Sequence, residues 1–447
     1  MNTRVIELND SAIKLGDESG VLISSPGFAL ADDKIIHLGE EAERQARLKP
    51  TSSFNKYWHE LSLEPYSGAG DFRHYADIAH AQLLHLAEQS GTDGEVIFAV
   101  PGSFSQQQLA ILLGIAGQTP LRPVGVVDSA LAAAIVSATA DRIIYVDMQL
   151  HQVVLTRLLL RDEHIESEEV IQIPGVGSQN FMGLLMQLST DLFIQQCRFN
   201  PQHNAESEQQ LYNALPTWLR QQENEQGSLL VELNSGGNVH TAKLPREELI
   251  ASLAGHYRKI DQQIQALLGD HSAQLLLNPN MAALPGLSRA FNHHADLVVV
   301  DDQAVLQGSL RSKPHIALGE AGIRRIRRLP VHDELRLKLD SQAEKSRLPT
   351  HILVNSQAYA AAGLTLLSSA RTSNAQAADS LALNLPGLPE VLARLERRGS
   401  ALYLSDACEQ LRLNAAPAGP QVALKPGDTL SFEGQSLSLD LIRVHNV

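Results

Sequence analysis

Short apolar stretches separated by turn residues open the chain. Asn9-Asp10 and Gly16-Asp17 supply the first two turns, and stretches bounded in this way predict β-strands. A similar set of stretches occurs again more than a hundred residues later. The stretches are residues 4–8, 12–15 and 21–24, and then 142–146, 153–160 and 164–173. We therefore predict a three-stranded meander that occurs twice, with chance similarity between apolar strands as the alternative.

Helical periodicity dominates four longer segments, which are residues 71–88, 179–196, 209–222 and 245–268. The last of them has Pro245 in its first turn and Gly269 after its end, both of which are favourable at those positions. Buried-strand patterns follow at residues 273–277 and 297–300. The charged segment 330–347 lacks core periodicity, and we interpret it as a linker.

From residue 348 onward the pattern changes to short alternating stretches between Gly, Pro, Asn and Ser residues. These stretches are residues 352–354, 364–367, 381–383, 401–404, 411–413, 429–432 and 437–444. Their spacing predicts an all-β sandwich over residues 348–447. The turn Pro426-Gly427-Asp428 precedes one strand, and Glu433-Gly434-Gln435 is predicted to join the last hairpin.

The charge balance restricts the partners of this chain. Its 447 residues contain 36 Lys and Arg against 50 Asp and Glu, which gives a net charge of -14. Nucleic acids and anionic membranes bind through basic surfaces, so neither is expected as a main partner. One basic run, Arg324-Arg325 with Arg327-Arg328, is a candidate phosphate or lipid patch, but we interpret it as the solvated face of a helix end.

The cysteines and the apolar stretches indicate a cytoplasmic protein. Cys197 and Cys408 are the only cysteines and lie far apart in sequence, which argues against a disulfide framework or a Cys-based zinc site. The chain opens on a strand pattern rather than on a secretory signal. Its longest apolar stretch, residues 124–140, contains Asp128 and is too short to span a bilayer comfortably, so we expect no membrane insertion.

Residues 96–135 carry a family resemblance. An apolar strand ends at Val100-Pro101-Gly102, a Gln-rich helix follows, and a second strand leads into an Ala-rich helix after Asp128. This order resembles an actin-like ATPase lobe of the DnaK-type heat-shock chaperones. Residues 37–46, 54–56, 175–181 and 301–308 resemble further stretches of that family in the same order. The resemblance covers residues 1–325.

The resemblance implies an α/β, two-lobed actin-like (ribonuclease H-like) ATPase fold, followed by the all-β sandwich. Lobe I would cover residues 1–140, with an inserted subdomain at about 37–92. Lobe II would cover residues 141–329, with a helical insert at about 181–268. The linker at 330–347 and the sandwich at 348–447 complete this expectation.

The resemblance also implies a nucleotide site, in which glycine-bearing turns wrap the phosphates and paired acids hold magnesium. Two acids of this chain match, Glu7 in the first turn and Asp147 in the second. Other family positions carry different residues. In the first turn, Asn9 replaces a glycine, and Asp10 and Ser11 replace hydroxyl residues. In the second turn, residues 148–152 contain no glycine, and Val154 replaces a second acid. The Gly-Gly turn that contacts adenosine in the family is replaced by Asn278-Pro279-Asn280.

These replacements argue against tight ATP binding. Losing three contacts of about 1–3 kcal/mol each would turn a submicromolar site into a millimolar one. We therefore expect no cofactor. If the site were functional, it would bind Mg-ATP, with Glu7 and Asp147 as ligands of the metal and Lys56 directed toward the γ-phosphate. The other contacts with the nucleotide would come from Asn9, Asp10, Ser11, Asn278 and Asn280. The preferred interpretations are a strand-end turn residue for Asp147 and a solvated surface residue for Lys56.

The C-terminal stretch resembles a forkhead-associated domain through Leu413-Asn414-Ala415 and residues 424–432. In that family a Gly-Arg pair and a Ser-x-x-His loop read phosphothreonine through charge-assisted hydrogen bonds. Here Ser369-Ala370-Arg371 matches the first motif loosely, and no Ser-x-x-His occurs near residues 389–394. Arg371 is a candidate phosphate contact, with a surface role as the preferred interpretation.

Three functions are compatible with these patterns. The leading hypothesis is a non-catalytic interaction or scaffold protein, a pseudo-ATPase that binds a protein partner through its cleft or its sandwich. A divergent ATP-binding, chaperone-like ATPase is the alternative, and an actin-like polymerising or pilus-type assembly protein is the second. The histidine patterns point to no zinc enzyme, because no HExxH occurs and His293-His294 is interpreted as an exposed helix end.

Overall fold

The structure is a computed structural model of a mixed α/β chain. It describes residues 3–32, 35–66, 72–221, 228–269, 271–291, 293–294, 296–317, 322–331, 349–369, 380–398, 401–419 and 421–444. The chain divides into two compact units, Met1–Leu335 and Arg336–Val447. Within the residues just given, no helix combines the length and apolarity needed to cross a membrane.

The first part of the N-terminal unit forms one sheet with helices beside it. Its elements are β1 (Arg4–Glu7), β2 (Ile13–Asp17), β3 (Gly20–Ser25), β4 (Ala29–Asp32), β5 (Ile35–Leu38), α1 (Glu40–Glu43), β6 (Ser53–Phe54), α2 (Tyr75–Ser90), β7 (Gly94–Val100), α3 (Gln106–Ala116), β8 (Leu121–Asp128) and α4 (Ser129–Ser137). Strands β1, β2 and β3 form an antiparallel meander. On the other side of β1, β7 pairs in parallel with β1, and β8 pairs in parallel with β7. We call this the first sheet. Strands β4, β5 and β6 form a separate small sheet.

The remainder of the unit repeats this topology. Its elements are β9 (Arg142–Met148), β10 (Gln152–Arg161), β11 (His164–Pro174), α5 (Ser178–Cys197), α6 (Ala205–Gln221), β12 (Ser228–Ser235), β13 (Asn238–Pro245), α7 (Arg246–Leu268), β14 (Gln274–Leu277), α8 (Pro279–Ala282), α9 (Leu287–Ala290), β15 (Leu297–Val299), α10 (Ala304–Arg311), α11 (Lys313–Ile316), β16 (Arg325–Ile326) and β17 (Arg328–Pro330). In this second sheet β9, β10 and β11 form the meander, β14 is parallel to β9, and β15 is parallel to β14. The predicted meander therefore does occur twice.

The segment predicted as a helical insert is only partly helical. Between α6 and α7, strands β12 and β13 pair as an antiparallel hairpin. Residues of one face of β12, such as Leu229, Val231 and Leu233, enter the same core as α5 and α7. The period of two in this hairpin is short and lies between strong helical patterns, which explains why periodicity predicted helices alone.

Two short strands near the end of the unit join the two sheets. β16 pairs in parallel with β8 at the edge of the first sheet, and β17 pairs antiparallel with β11 at the edge of the second. The interpretation of Arg324–Arg328 as a solvated helix end is therefore wrong. Pro330 ends a strand rather than beginning a linker, and residues 332–347 of the predicted linker lie outside the described residues.

Helix α10 crosses helix α4 at very short range. Most of α4 is buried, as its Ala-rich sequence allows, and Asp128 caps it by accepting a hydrogen bond from the Ala130 N–H at 3.1 Å. At the crossing, a Cβ added to Gly308 would lie 1.9 Å from the carbonyl oxygen of Ala132. Only glycine leaves space for this contact between backbones.

Replacing Gly308 by alanine is therefore expected to destabilise the protein, by about 1–3 kcal/mol, because the helices must separate. Gly183 in α5 is the matched control, since a Cβ there would meet no atom within 4 Å. Gly183→Ala is expected to gain up to about 1 kcal/mol through helix propensity. Urea unfolding of both variants measures the difference, and equal effects would contradict this account of the crossing.

The C-terminal unit is built from strands. They are β18 (His351–Val354), β19 (Gln357–Ala360), β20 (Thr365–Leu367), β21 (Ser380–Ala382), β22 (Val391–Arg398), β23 (Ala401–Ser405), β24 (Leu411–Leu413), β25 (Ala416–Pro417), β26 (Gln421–Leu424), β27 (Thr429–Phe432) and β28 (Ser438–Ile442). One sheet has the order β19-β18-β28-β27-β24-β25, and the other β21-β20-β22-β23-β26. Both sheets contribute side chains to a single hydrophobic core.

The seven strands predicted in this unit are found within two residues of their predicted positions, whereas β19, β22, β25 and β26 are additional. The turn at Asn414, in the stretch that carries the forkhead-associated resemblance, is held by the Asn414 side chain. Its Oδ1 accepts a hydrogen bond from the Thr429 N–H at 2.9 Å, and its Nδ2 donates to Asp428 at 2.8 Å. Asn414 has a φ of 51°, a left-handed conformation that asparagine tolerates better than most residues.

Candidate functional site

The candidate site lies where the loops after three strands meet. β14 is parallel to β9 with Leu277 opposite Val146, so that the next residues, Asn278 and Asp147, are neighbours at the same end of the sheet. The loop after β1 approaches this point from the first sheet. The structure thus brings together the residues that the family resemblance pointed to, namely Asn9, Asp10, Ser11, Asp147, Asn278 and Asn280.

Asn9 joins the two sheets directly. Its buried Nδ2 donates to Asp147 Oδ1 at 2.8 Å and lies 3.1 Å from the Met148 carbonyl oxygen. Ser11 adds a longer contact, from its Oγ to the same carbonyl at 3.3 Å. We call this set of contacts the Asn9 clasp. It occupies the position at which the family pattern would place a glycine facing a phosphate.

Asp147 is surrounded by amide donors. Besides Asn9, the Nδ2 of Asn278 lies 3.3 Å from Asp147 Oδ1, and the Nε2 of Gln149 lies 3.4 Å from Oδ2. Gln152 continues the network by donating to Gln149 at 2.9 Å. The side chain of Asp147 therefore serves as a buried acceptor for neighbouring loops, which agrees with its interpretation as a residue that satisfies a turn.

The backbone donors of these loops are bonded to oxygens of the protein itself. The N–H of Leu150, in the second turn, donates to Asp10 Oδ1 at 2.7 Å, and the N–H of Ser11 donates to Asn9 Oδ1 at 2.9 Å. At the start of α5, the N–H groups of Ser178 and Gln179 donate to carbonyls of the second turn, at 2.8 and 2.9 Å. Loop and helix N–H groups of this kind are the usual ligands of phosphate oxygens. Here these four are already bonded.

Glu7 and Lys14 form a buried pair beside the clasp. They lie directly opposite each other on β1 and β2, and Lys14 Nζ is 3.6 Å from Glu7 Oε2. This distance is too long for a hydrogen bond, and Glu7 Oε2 has no hydrogen-bond partner among the described residues. Lys14 instead donates to Asp302, to Oδ1 at 2.7 Å and to the carbonyl at 2.9 Å.

Burial is the largest cause of the pKa shifts of the acids at this site. It raises the pKa of Glu7 to about 7 and the pKa of Asp10 to about 7, and it raises the pKa of Asp147 to about 6. Hydrogen bonds from Gln149 and Asn9 oppose the shift at Asp147. Burial alone would lower the pKa of Lys14, but the carboxylates of Glu7 and Asp302 outweigh it and the pKa of Lys14 is raised.

These shifts predict a specific pH dependence of stability. The folded-state pKa of Asp10 lies above its ordinary value of 3.8, so the folded protein retains a proton that the unfolded chain releases, and stability falls as pH rises toward 7. Asp10→Asn keeps an oxygen for the Leu150 N–H and removes the titration. Between about pH 5 and pH 8 we expect the wild-type protein to lose on the order of 2 kcal/mol more stability than this variant.

Denaturant unfolding across this pH range provides the measurement. Asp17→Asn is the control, since hydrogen bonds from Ser19 lower the pKa of the partly exposed Asp17 and complete its ionisation at lower pH. Parallel stability profiles for wild type and Asp10→Asn would show that Asp10 is not a buried, protonated group.

Little space remains around the clasp. The cavity bordered by Asp10, Trp58, Gln149 and Gln152 has a volume of about 40 Å³. A cavity of this size accommodates ordered water, whereas pockets for cofactors and nucleotide-sized ligands measure roughly 300–1,000 Å³. This cavity is therefore smaller than those that hold nucleotides.

The donor set also does not fit magnesium. Mg²⁺ requires oxygen ligands in near-octahedral geometry. Around Asp147, the nearest groups are N–H donors of Asn9, Asn278 and Gln149, whose partial positive charge faces the region where a cation would bind. Glu7 is directed instead toward the ammonium of Lys14.

Other candidate residues lie apart from this network or at its edge. Lys56 is half exposed and pairs with Glu60, with Nζ and Oε1 3.7 Å apart, in agreement with its interpretation as a surface lysine. Val154 lies opposite Asp147 on β10 and is buried. Asn280 is exposed and reaches Ser11 Oγ at 3.1 Å. Sequence reasoning missed Lys14, although the turn at Asn9-Asp10 places it opposite Glu7, and it missed the side-chain role of Gln149.

A second buried contact links the sheets. Asp128, at the end of β8, accepts from Arg325 Nη2 at 3.0 Å and from Ser167 Oγ of β11 at 3.2 Å. Arg325 also donates to the carbonyls of Phe104 and Pro101. The Asp128 side chain is fully buried, so this ion pair, rather than solvent, compensates the charge of its carboxylate.

Arg325→Ala should therefore destabilise the protein strongly, by about 3–5 kcal/mol, because it leaves Asp128 buried without its cation. Arg328→Ala is the matched control. Its guanidinium pairs with Glu166 at 2.9 Å but is half exposed, and such pairs contribute at most about 1 kcal/mol. Chemical unfolding compares the two variants, and losses of similar size would refute the assignment of a buried ion pair.

Comparison with protein-family models finds no match along the chain, and comparison with curated proteins finds no significant relative.

Proposed function

We propose that this chain is a non-catalytic interaction protein. Its N-terminal unit would be a two-lobed actin-like fold of the DnaK type whose nucleotide site is closed by its own side chains. Its C-terminal unit would be a forkhead-associated-like β-sandwich. Protein partners would bind to its outer surfaces rather than in a nucleotide-gated cleft.

The topology of the N-terminal unit supports the fold proposal. Two sheets with the same order of an antiparallel meander followed by two parallel strands are what a duplicated ribonuclease H-like core requires. The close crossing of α4 and α10 links the two halves near the centre of the unit. A fold alone does not specify an activity, so the functional argument depends on the site.

The observation that carries the functional proposal is the Asn9 clasp. Loops that bind phosphate keep backbone donors free and carry glycines for close approach. In this chain four such N–H groups, those of Ser11, Leu150, Ser178 and Gln179, donate to side-chain and backbone oxygens of the protein. Asn9 also donates from one sheet to the other, to Asp147 at 2.8 Å. Opening the site would leave several buried polar groups without partners, at about 1–3 kcal/mol each.

The C-terminal unit supports a role in recognition. It has two sheets that share one core, and the loops that connect strands on a rigid scaffold of this kind often carry binding residues. The Asn414 turn, which carries part of the forkhead-associated resemblance, is fixed by hydrogen bonds to Thr429 and Asp428. Arg371, the candidate phosphate contact, lies outside the described residues.

Calorimetric titration with Mg-ATP and Mg-ADP tests the proposal. For the purified full chain we expect no binding heat up to millimolar nucleotide and no change in melting temperature, because a ligand that binds the folded state must raise it. Micromolar binding would contradict the proposal.

ATP hydrolysis by the wild-type chain that is lost in the Asp147→Asn variant would favour the divergent ATPase instead. Growth of light scattering with protein concentration would favour a polymerising protein. A partner captured equally well with and without Mg-ATP, and still bound by Asp147→Asn, would support the interaction protein, provided that binding is reproduced with both purified components.

A further inference from the structure

A group of metal-ligating side chains lies in the second half of the N-terminal unit, remote in sequence from the clasp. Asp261 is on α7, and His293 and His294 follow α9. His293 Nε2 is 3.0 Å from Asp261 Oδ1, and His294 Nε2 is 2.8 Å from the same oxygen. Among the described residues, this is the one group of at least three such side chains whose ligand atoms all lie within 4.8 Å of one another.

The convergence is unusual for consecutive residues. The two imidazole rings lie with centroids 4.2 Å apart and direct the same ring nitrogen to one carboxylate oxygen. The side chain of His294 is almost fully buried, with 5% exposed, which corrects the interpretation of this histidine as part of an exposed helix end. His293 remains 46% exposed, so solvent and ions reach the group.

The geometry is close to that of a tetrahedral metal site. Bonds of 2.0–2.1 Å to a central zinc ion place neighbouring ligand atoms about 3.3 Å apart. The two nitrogen–oxygen distances are only a few tenths of an ångström shorter, and all three ligand atoms lie within 4.8 Å of one another. Small side-chain movements would admit an ion in place of the shared hydrogen bonds.

We propose that Asp261, His293 and His294 form a binding site for a borderline-soft divalent ion, with Zn²⁺ as the preferred ion. Two imidazoles and one carboxylate match zinc, whereas calcium and magnesium prefer sites made of oxygen alone. Three protein ligands leave the fourth position to water.

The location indicates what the ion would do. Tyr257, one helical turn before Asp261 on α7, donates from its hydroxyl to the Pro285 carbonyl at 2.7 Å. Asp261 contacts the other end of the same segment, and Leu287 and Phe291 between them are buried in the core of α5 and α7. A bound ion would therefore link the segment that contains α9 to helix α7, and it would stabilise this half of the unit.

Titration of the metal-free full chain with ZnCl₂, followed by calorimetry and by melting temperature, tests the site. We expect binding at one equivalent and an increase of several degrees in melting temperature, with no effect of Mg²⁺ or Ca²⁺ at the same concentration.

Three variants make the test specific. His293→Gln removes an exposed ligand with little risk to folding, and Asp261→Asn removes the charge, and each should weaken zinc binding about tenfold or more. His203→Ala, at an exposed histidine elsewhere, should leave the affinity unchanged and controls for nonspecific binding. Absence of binding by the wild-type chain, or equal affinity of all these proteins, would overturn the proposal and leave the group as hydrogen-bonded side chains.

Discussion

Direct contact between the loop after β1 and the end of β9 is the constraint on which the N-terminal unit depends. Asn9 donates a hydrogen bond to Asp147 across the boundary between the two sheets, and the surrounding amides and backbone donors are arranged around that bond. Buried polar networks of this kind stabilise one arrangement and penalise others, because a partly broken network leaves groups unsatisfied in a low dielectric. The high pKa values of Glu7, Asp10 and Asp147 are the electrostatic cost of enclosing three acids with one lysine.

Contacts on other parts of the same boundary reinforce this arrangement. The crossing of α4 and α10 brings two backbones together at Gly308, and the Asp128–Arg325 pair links β8, β11 and β16. Each of these contacts is buried and depends on close fit, so a hinge motion between the sheets would have to disrupt several of them together. Ligand-driven opening and closing of a cleft requires the opposite, namely contacts that exchange at low cost.

Much of the fold could be predicted from the sequence, because alternation of apolar residues and turn residues marks strands locally. The repeated meander and seven strands of the C-terminal unit follow from that signal. The hairpin β12–β13 was missed because its short period of two lies between strong helical patterns. The short strands β16 and β17 could not be found in this way, since their identity depends on partners distant in sequence. For the site, family resemblance selected the residues that meet. The bonds from Asn9 to Asp147 and from Asp10 to Leu150 required coordinates, as did the buried pairing of Arg325, which a charge run alone cannot reveal.

The segment from Arg325 to Pro330 has a consequence for how the chain reaches its folded state. It covers part of an outer strand of each sheet, β8 in the first and β11 in the second. Unpaired strand edges are templates for association with other chains. Ribosomes synthesise β8 and β11 long before this segment, so the edges of these two strands stay open during the intervening synthesis. Completion of the unit thus depends on a short, late, arginine-rich sequence, and chains that end before it would expose the edges that aggregation requires.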